Sequence, residues 1–194
     1  MRIAIASITG TAPYCQSRFH ETPKNNKEGS DDYERRTWRN RLHVNDEGEV
    51  FIPALAPKNA IAEAAKYLSI QIPGKGKSTY TKHFESGVVV FEDASLGIQA
   101  AGDRVTEKRM FVPSTGIRGD GKRVMKSYPV ILPPWRTQIQ FVINDDVITS
   151  DVFKLVLRQA GQLIGLGSFR VRNNGIFGTF KVDDIQWEEI DLLG

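Results

Sequence analysis

Two stretches of helical period, 57–69 and 151–164, set the frame, because each is bracketed by short β-branched apolar runs. In the first, Ile61, Ala64, Ala65 and Leu68 recur at helical spacing, while Glu63 and Lys66 face out. Pro57 suits the first turn, where its missing N–H costs nothing, and Pro73-Gly74 stops the element. Small alanines on the buried stripe predict close contact with a sheet. In the second, Phe153, Val156, Leu157, Ala160 and Ile164 form the stripe. Thr149 or Ser150 can cap its start, Asp151 sits in the positive first turn, and Gly165 and Gly167 end it.

Residues 2–8, 87–91, 138–143 and 178–182, with a continuation at 185–190, read as strands. The order strand, helix, strand, strand, helix, strand predicts an α+β fold, the ferredoxin-like or RRM-like βαββαβ palm. Both helices should cover one face of a four-stranded antiparallel sheet. A chain of 194 residues with 40% apolar content can build such a core, which excludes a fully disordered chain. It reads as one domain, 1–194, with an insertion at 11–50 after the first strand and another at 95–130 between the middle strands. Both insertions carry little periodicity, apart from a strand-like run RMFVP inside the second, and long irregular segments in compact domains are functional or disordered more often than not.

The inventory for catalysis is thin. Cys15 is the only cysteine, which excludes an internal disulfide and a cysteine-based zinc cluster and suits a reducing compartment. His20, His43 and His83 are isolated, without metal-ligand spacing. Asp145-Asp146 and Asp183-Asp184 read as a turn and a solvated strand end. Residues 74–79, GKGKST, lack the spacing of a phosphate-binding loop and follow a helix rather than a strand. No catalytic residue, metal site or cofactor is expected. No apolar run approaches the roughly 20 residues that span a bilayer, and none resembles a signal peptide. A cytoplasmic protein without a membrane partner is expected.

The basic clusters are more informative, although a net charge of +3 only permits a polyanionic partner. The first insertion holds Arg18 and a bunch, Arg35, Arg36, Arg39 and Arg41, around Trp38. A guanidinium fork and an aromatic ring are what a single strand needs, one for phosphate and one for base stacking. The alternative is a solvated loop that Trp38 anchors to the body. Lys75 and Lys77 lie in a basic connection after the first helix. The second insertion carries Arg118, Lys122 and Arg123 among glycines, with few acidic residues nearby. The third feature is the glycine-rich run 165–178. There Gly165 and Gly167 can let backbone N–H groups approach a phosphate or a neighbouring subunit, and Arg170 and Arg172 fall on one face of a hairpin strand.

Residues 4–10, 52–68 and 164–182, taken with the two insertions, resemble the RAMP superfamily. Within it, the likeness is to the RNA-coating backbone subunits of CRISPR effector complexes, or to a solitary viral or mobile-element relative. The resemblance implies an RRM-like palm whose insertions and glycine-rich turn grip RNA, and self-association or partner subunits in antiviral defence. Aromatic residues of the RRM type are missing from the sheet strands, so base stacking on the sheet face is not expected. The expected function is a non-catalytic binder of single-stranded nucleic acid, RNA before DNA. Three alternatives stay open. They are a phage single-strand DNA-binding or annealing protein, a RAMP-type endoribonuclease using His20 or His43 with Asp31 or Asp32, and a protein-interaction module.

Overall fold

The computed structural model describes residues 1–116, 119 and 121–189. In chain order the elements begin with β1 (Arg2–Gly10), β2 (Tyr14–Cys15), α1 (Ser30–Thr37), β3 (Glu49–Ile52), α2 (Leu55–Leu68), α3 (Thr81–Gly87) and β4 (Val88–Val89). They continue with β5 (Ala94–Gln99), β6 (Val105–Pro113), β7 (Arg123–Ile131), β8 (Arg136–Ile143), α4 (Ser150–Gln159) and β9 (Phe180–Glu189). A 3-10 turn, Trp38–Arg41, follows α1, and a wider π turn, Ala160–Ile164, prolongs α4.

The central sheet runs β4-β8-β1-β9, all neighbours antiparallel. With α2 between β1 and β4, and α4 between β8 and β9, this is the ferredoxin-like order expected from the sequence. On one face, Ala4 lies opposite Phe141 on β8 and Trp187 on β9. The small alanine leaves room for Phe153 of α4, whose ring meets Phe141 at 5.3 Å and Trp187 at 5.5 Å, both edge to face. Helix α2 joins the same core through Ala60, Ile61, Ala64 and Ala65. The other face is polar: Ile5 pairs with Gln140 and Gln186, and Ser7 with Gln138 and Asp184.

Helix ends follow local chemistry. Thr149 caps α4, its hydroxyl accepting the Val152 N–H at 3.3 Å. Helix α2 stops at Ser69, which takes a left-handed φ of +48° and donates its N–H to Ala65. Widening of the last turn of α4 coincides with Gly161, where a Cβ would stand 2.2 Å from the Phe180 carbonyl oxygen.

The insertions differ from the irregular chain expected of them. Strands β6 and β7 form a hairpin with nine paired positions, from Val105↔Ile131 to Pro113↔Arg123. Strand β2 extends this hairpin into a three-stranded sheet, and β3 pairs with β5. Along β6 most side chains are half-buried, so the two-residue alternation that marks a strand is blurred. The strand expected at 87–91 shrinks to Val88–Val89, with Phe91 exposed, and α3 before it is only seven residues long. The hairpin strand expected around 169–172 is also replaced. Phe169 and Asn174 take φ of +53° and +55°, and between them Val171–Asn173 form a 3-10 turn.

Candidate nucleic-acid interface

Hairpin β6–β7, the segment after the π turn and the start of α2 enclose an open groove of about 1250 Å³. The hairpin supplies Phe111, Arg123 and Tyr128; the segment supplies Gly167, Ser168, Phe169, Arg170 and Arg172; α2 supplies Ala56 and Asn59. Pockets for one drug-sized ligand run at about 300–1,000 Å³, so this volume suits a stretch of polymer. Among the described residues, its lining holds three arginines and no carboxylate.

The glycines shape this groove by close approach. Gly167 has φ +77°, and a Cβ there would stand 2.3 Å from the Cys15 carbonyl oxygen and 2.5 Å from the Tyr14 ring. At Gly178 a Cβ would stand 1.9 Å from the Leu166 carbonyl oxygen. Their neighbourhood spends its amides inside the fold. Gly165 N–H donates to Ala160, Leu166 N–H to Gly178 and Ser168 N–H to Cys15, at 2.8–2.9 Å. The Gly165 amide is therefore not open to a phosphate, contrary to the sequence reading. What this run offers instead is a rim of side chains.

On that rim Arg170 and Arg172 share one carboxylate. Arg170 Nη2 lies 2.8 Å from Glu63 Oε2, and Arg172 Nε lies 3.0 Å from Glu63 Oε1. Two guanidinium groups on one carboxylate leave one positive charge over. The Arg172 guanidinium also lies over Tyr67, 5.6 Å from the ring centre. Across the groove Arg123 stands 6.0 Å from the centre of the Phe111 ring, which is exposed. Tyr128 and Phe169 meet edge to face at 4.9 Å, walling the groove with aromatic surface.

The arginine bunch of the first insertion is paired internally. Arg36 holds both Glu28 oxygens at 2.7 and 2.8 Å, and this fork brings the Glu28 pKa down to about 2. Arg35 pairs with Asp31 at 3.0 Å, and Asp31 also meets Arg109 of β6. Arg39 lies over Trp38 at 4.3 Å and donates to the Ala100 carbonyl. Trp38 is 9% exposed, so its ring anchors the loop and offers no free face for a base. Arg41 donates to both oxygens of Glu34 at 3.2 Å, and Glu34 also accepts the Ser127 N–H at 3.0 Å. The bunch thus clamps α1 to the hairpin.

The remaining sequence candidates scatter. Arg18 is exposed next to Ser17, whose hydroxyl meets that of Ser168 at the groove. Lys75 and Lys77 are exposed on the loop after α2, and Lys122 is exposed beside the hairpin tip. Arg118 lies outside the described residues. Sequence reading missed Phe111, Tyr128, Phe169, Glu63 and Tyr67. Only the run RMFVP hinted that Phe111 belonged to a strand beside the basic cluster.

Among the described residues, the groups a hydrolase could use lie in separate parts of the fold. Burial pushes the Cys15 thiol up to about 12. His20 Nδ1 meets the Thr22 hydroxyl at 3.0 Å, and burial, followed by nearby Arg41, lowers its pKa. His83 Nδ1 lies 2.6 Å from Asp145, tying α3 to the turn between β8 and α4. Among the described residues, no three His, Cys, Asp or Glu side chains come together as a metal site would need.

No family model and no curated protein matches the chain. Among solved structures, the chain is similar to Cmr6 from Pyrococcus furiosus, with a TM-score of 0.51 and 12% identity over 94% of this chain and 98% of that one. It is also similar to a chain of the type III-B Cmr-beta complex bound to cognate target RNA, with a TM-score of 0.50 and 14% identity. That match covers 96% of this chain and 60% of the other, so this chain spans about three fifths of its length. At such identity the likeness is one of fold. No helix among the described residues is long and apolar enough to cross a membrane. The resemblance read from the sequence is borne out as one of fold: this chain has an α+β, ferredoxin-like architecture, shared with Cmr6 and with a chain of the Cmr-beta complex.

Proposed function

We propose that this protein is a non-catalytic subunit of a CRISPR-type ribonucleoprotein assembly, and that it holds single-stranded RNA in the groove between hairpin β6–β7, the glycine-rich segment and α2. The observation that carries this reading is the convergence of Arg123, Arg170 and Arg172 with Phe111 and Phe169 on one groove, where Glu63 meets two of the arginines from the rim and leaves a net positive charge. Guanidinium forks take phosphate oxygens, and aromatic rings take unstacked bases. The fold shared with Cmr6 and with a chain of the RNA-bound Cmr-beta complex supports it.

Filter binding of a labelled 12-nucleotide oligouridylate across a salt series tests the reading. Wild type should bind with log affinity falling as log salt rises. Arg123→Ala, Arg170→Ala and Arg172→Ala combined should flatten that slope by about 2, at roughly 0.7 for each phosphate deprived of its arginine. The triple variant should stay folded, because partly exposed ion pairs contribute only about 0–1 kcal/mol each. An unchanged slope would move the grip elsewhere, and equal binding of matched DNA would shift the ligand from RNA to any single strand. Intact oligonucleotide after incubation with magnesium is expected; cleavage would overturn the non-catalytic assignment.

A further inference from the structure

The groove does not stop at the glycine-rich rim. A second depression of about 600 Å³ lies on the outer face of α2, and it shares Asn59 and Arg172 with the first. Its own lining includes Lys58, Lys66 and Tyr67. The two hollows are therefore contiguous, with Arg172 between them.

Tyr67 is the unusual residue here. A tyrosine ring on a surface helix commonly lies flat against its neighbours, yet this one is 58% exposed. One side of it faces the Arg172 guanidinium at 5.6 Å. Arg172 is itself held by Glu63 at 3.0 Å, so ring and guanidinium make a supported ledge whose rotamers are already ordered. A planar base stacks on such a ledge whatever its sequence, because every base has a π-face. Lys66, exposed one residue before Tyr67, lines the same depression and supplies a cation there.

We infer that the α2 depression is a second subsite for single-stranded RNA, continuing the strand out of the main groove past Arg172, with Tyr67 stacking a base and Lys66 meeting a phosphate. This rests on the proposed RNA-binding reading of the main groove. Its chemistry is sequence-tolerant, since a stacked ring and a lysine do not read base edges. Glu63 and Glu85 also line the depression, so the subsite adds to a strand already held and does not capture one alone.

Oligonucleotide length separates the two claims. Oligouridylates of 4 and 12 nucleotides should be compared by fluorescence anisotropy on wild type, Tyr67→Ala and Lys66→Glu, with thermal melting of each variant. Wild type should bind the 12-mer well above the 4-mer. Tyr67→Ala should weaken the 12-mer about tenfold, in line with the loss of one stacked base, and leave the 4-mer unchanged. Lys66→Glu should weaken the 12-mer and flatten its salt slope by about 0.7 or more. Both residues are solvent-facing, so melting should shift little. If both variants bind the 12-mer like wild type, or lose both lengths equally, the second subsite is overturned while the main groove stands. If wild type binds neither length at low salt, the RNA-binding reading itself falls and the subsite falls with it.

Discussion

Arg36 shows how a charge that looks available in sequence is spent in the fold. Its fork closes on both oxygens of Glu28 and reaches the Pro23 carbonyl at 3.0 Å, so it ties the segment before α1 to the helix. Arg36→Ala should therefore leave RNA affinity within about twofold of wild type, measured by the same filter assay, because its guanidinium lies outside the proposed grip and meets no phosphate. Its effect should appear in stability and depend on pH. The Glu28 carboxyl sits at about 2 in the folded chain against an ordinary 4.5. A folded-state pKa below the unfolded one stabilises fully above about 4.5 and loses that contribution as pH falls towards 2. Urea melts of wild type and variant should differ at neutral pH and converge in acid. Side-chain pairing of this kind was not legible in the sequence. Composition revealed that acidic residues accompanied the arginines, but Glu28 and Arg36 are eight positions apart, and only the fold of 23–36 brings them together.

At the scale of elements, the clamp between α1 and hairpin β6–β7 turns on Glu34. The residue is buried, 8% exposed, and its carboxylate accepts from Arg41 and from the Ser127 backbone amide. Glu34→Ala would leave the Arg41 guanidinium over Tyr128 without its carboxylate and the Ser127 amide without an acceptor. We expect a loss of about 3 kcal/mol in denaturant unfolding, at the low end for breaking a buried pair, since both side chains keep some solvent contact. If Glu34→Ala unfolds at the wild-type denaturant midpoint, the clamp does not hold the hairpin. Helices α2 and α4 were legible because each buries one clean stripe, over 14 residues in α2 and over α4 with the π turn that prolongs it. The hairpin was not, because β6 is half-buried along most of its length, β7 passes from exposed to buried on both faces, and charges fall on either side. The glycine-rich run was misread for a different reason. Extended chain and a 3-10 turn between two left-handed residues share the same glycine, asparagine and arginine composition, and only the Phe169 and Asn174 angles decide between them.

For the whole molecule, the strand order β4-β8-β1-β9 puts the groove on the helix side and leaves the opposite sheet face to glutamines, Asp184 and Glu188. A ligand that binds only the folded state raises its stability by mass action, about 2.7 kcal/mol at a hundredfold excess over Kd. For a chain of 194 residues this should raise Tm by roughly 5–10 °C with the 12-mer oligouridylate at low salt. The rise should vanish at high salt, and a Tm unmoved at saturating RNA would mean that the folded groove is not what binds. The element order was readable from the sequence because alternating helix and strand periods admit few topologies. The placement of the groove was not, because it joins residues from 17 to 174 that only the completed sheet brings together. The carboxylate shared by Arg170 and Arg172 has one more consequence. Glu63 stands as a resident anion on the rim, so on the proposed reading an arriving phosphate exchanges partners with it and does not meet bare cations. A departing strand leaves its arginines to a carboxylate already in reach. On that reading the surface trades its polymer and does not store it, as a protein that settles into register along a strand by trial would need.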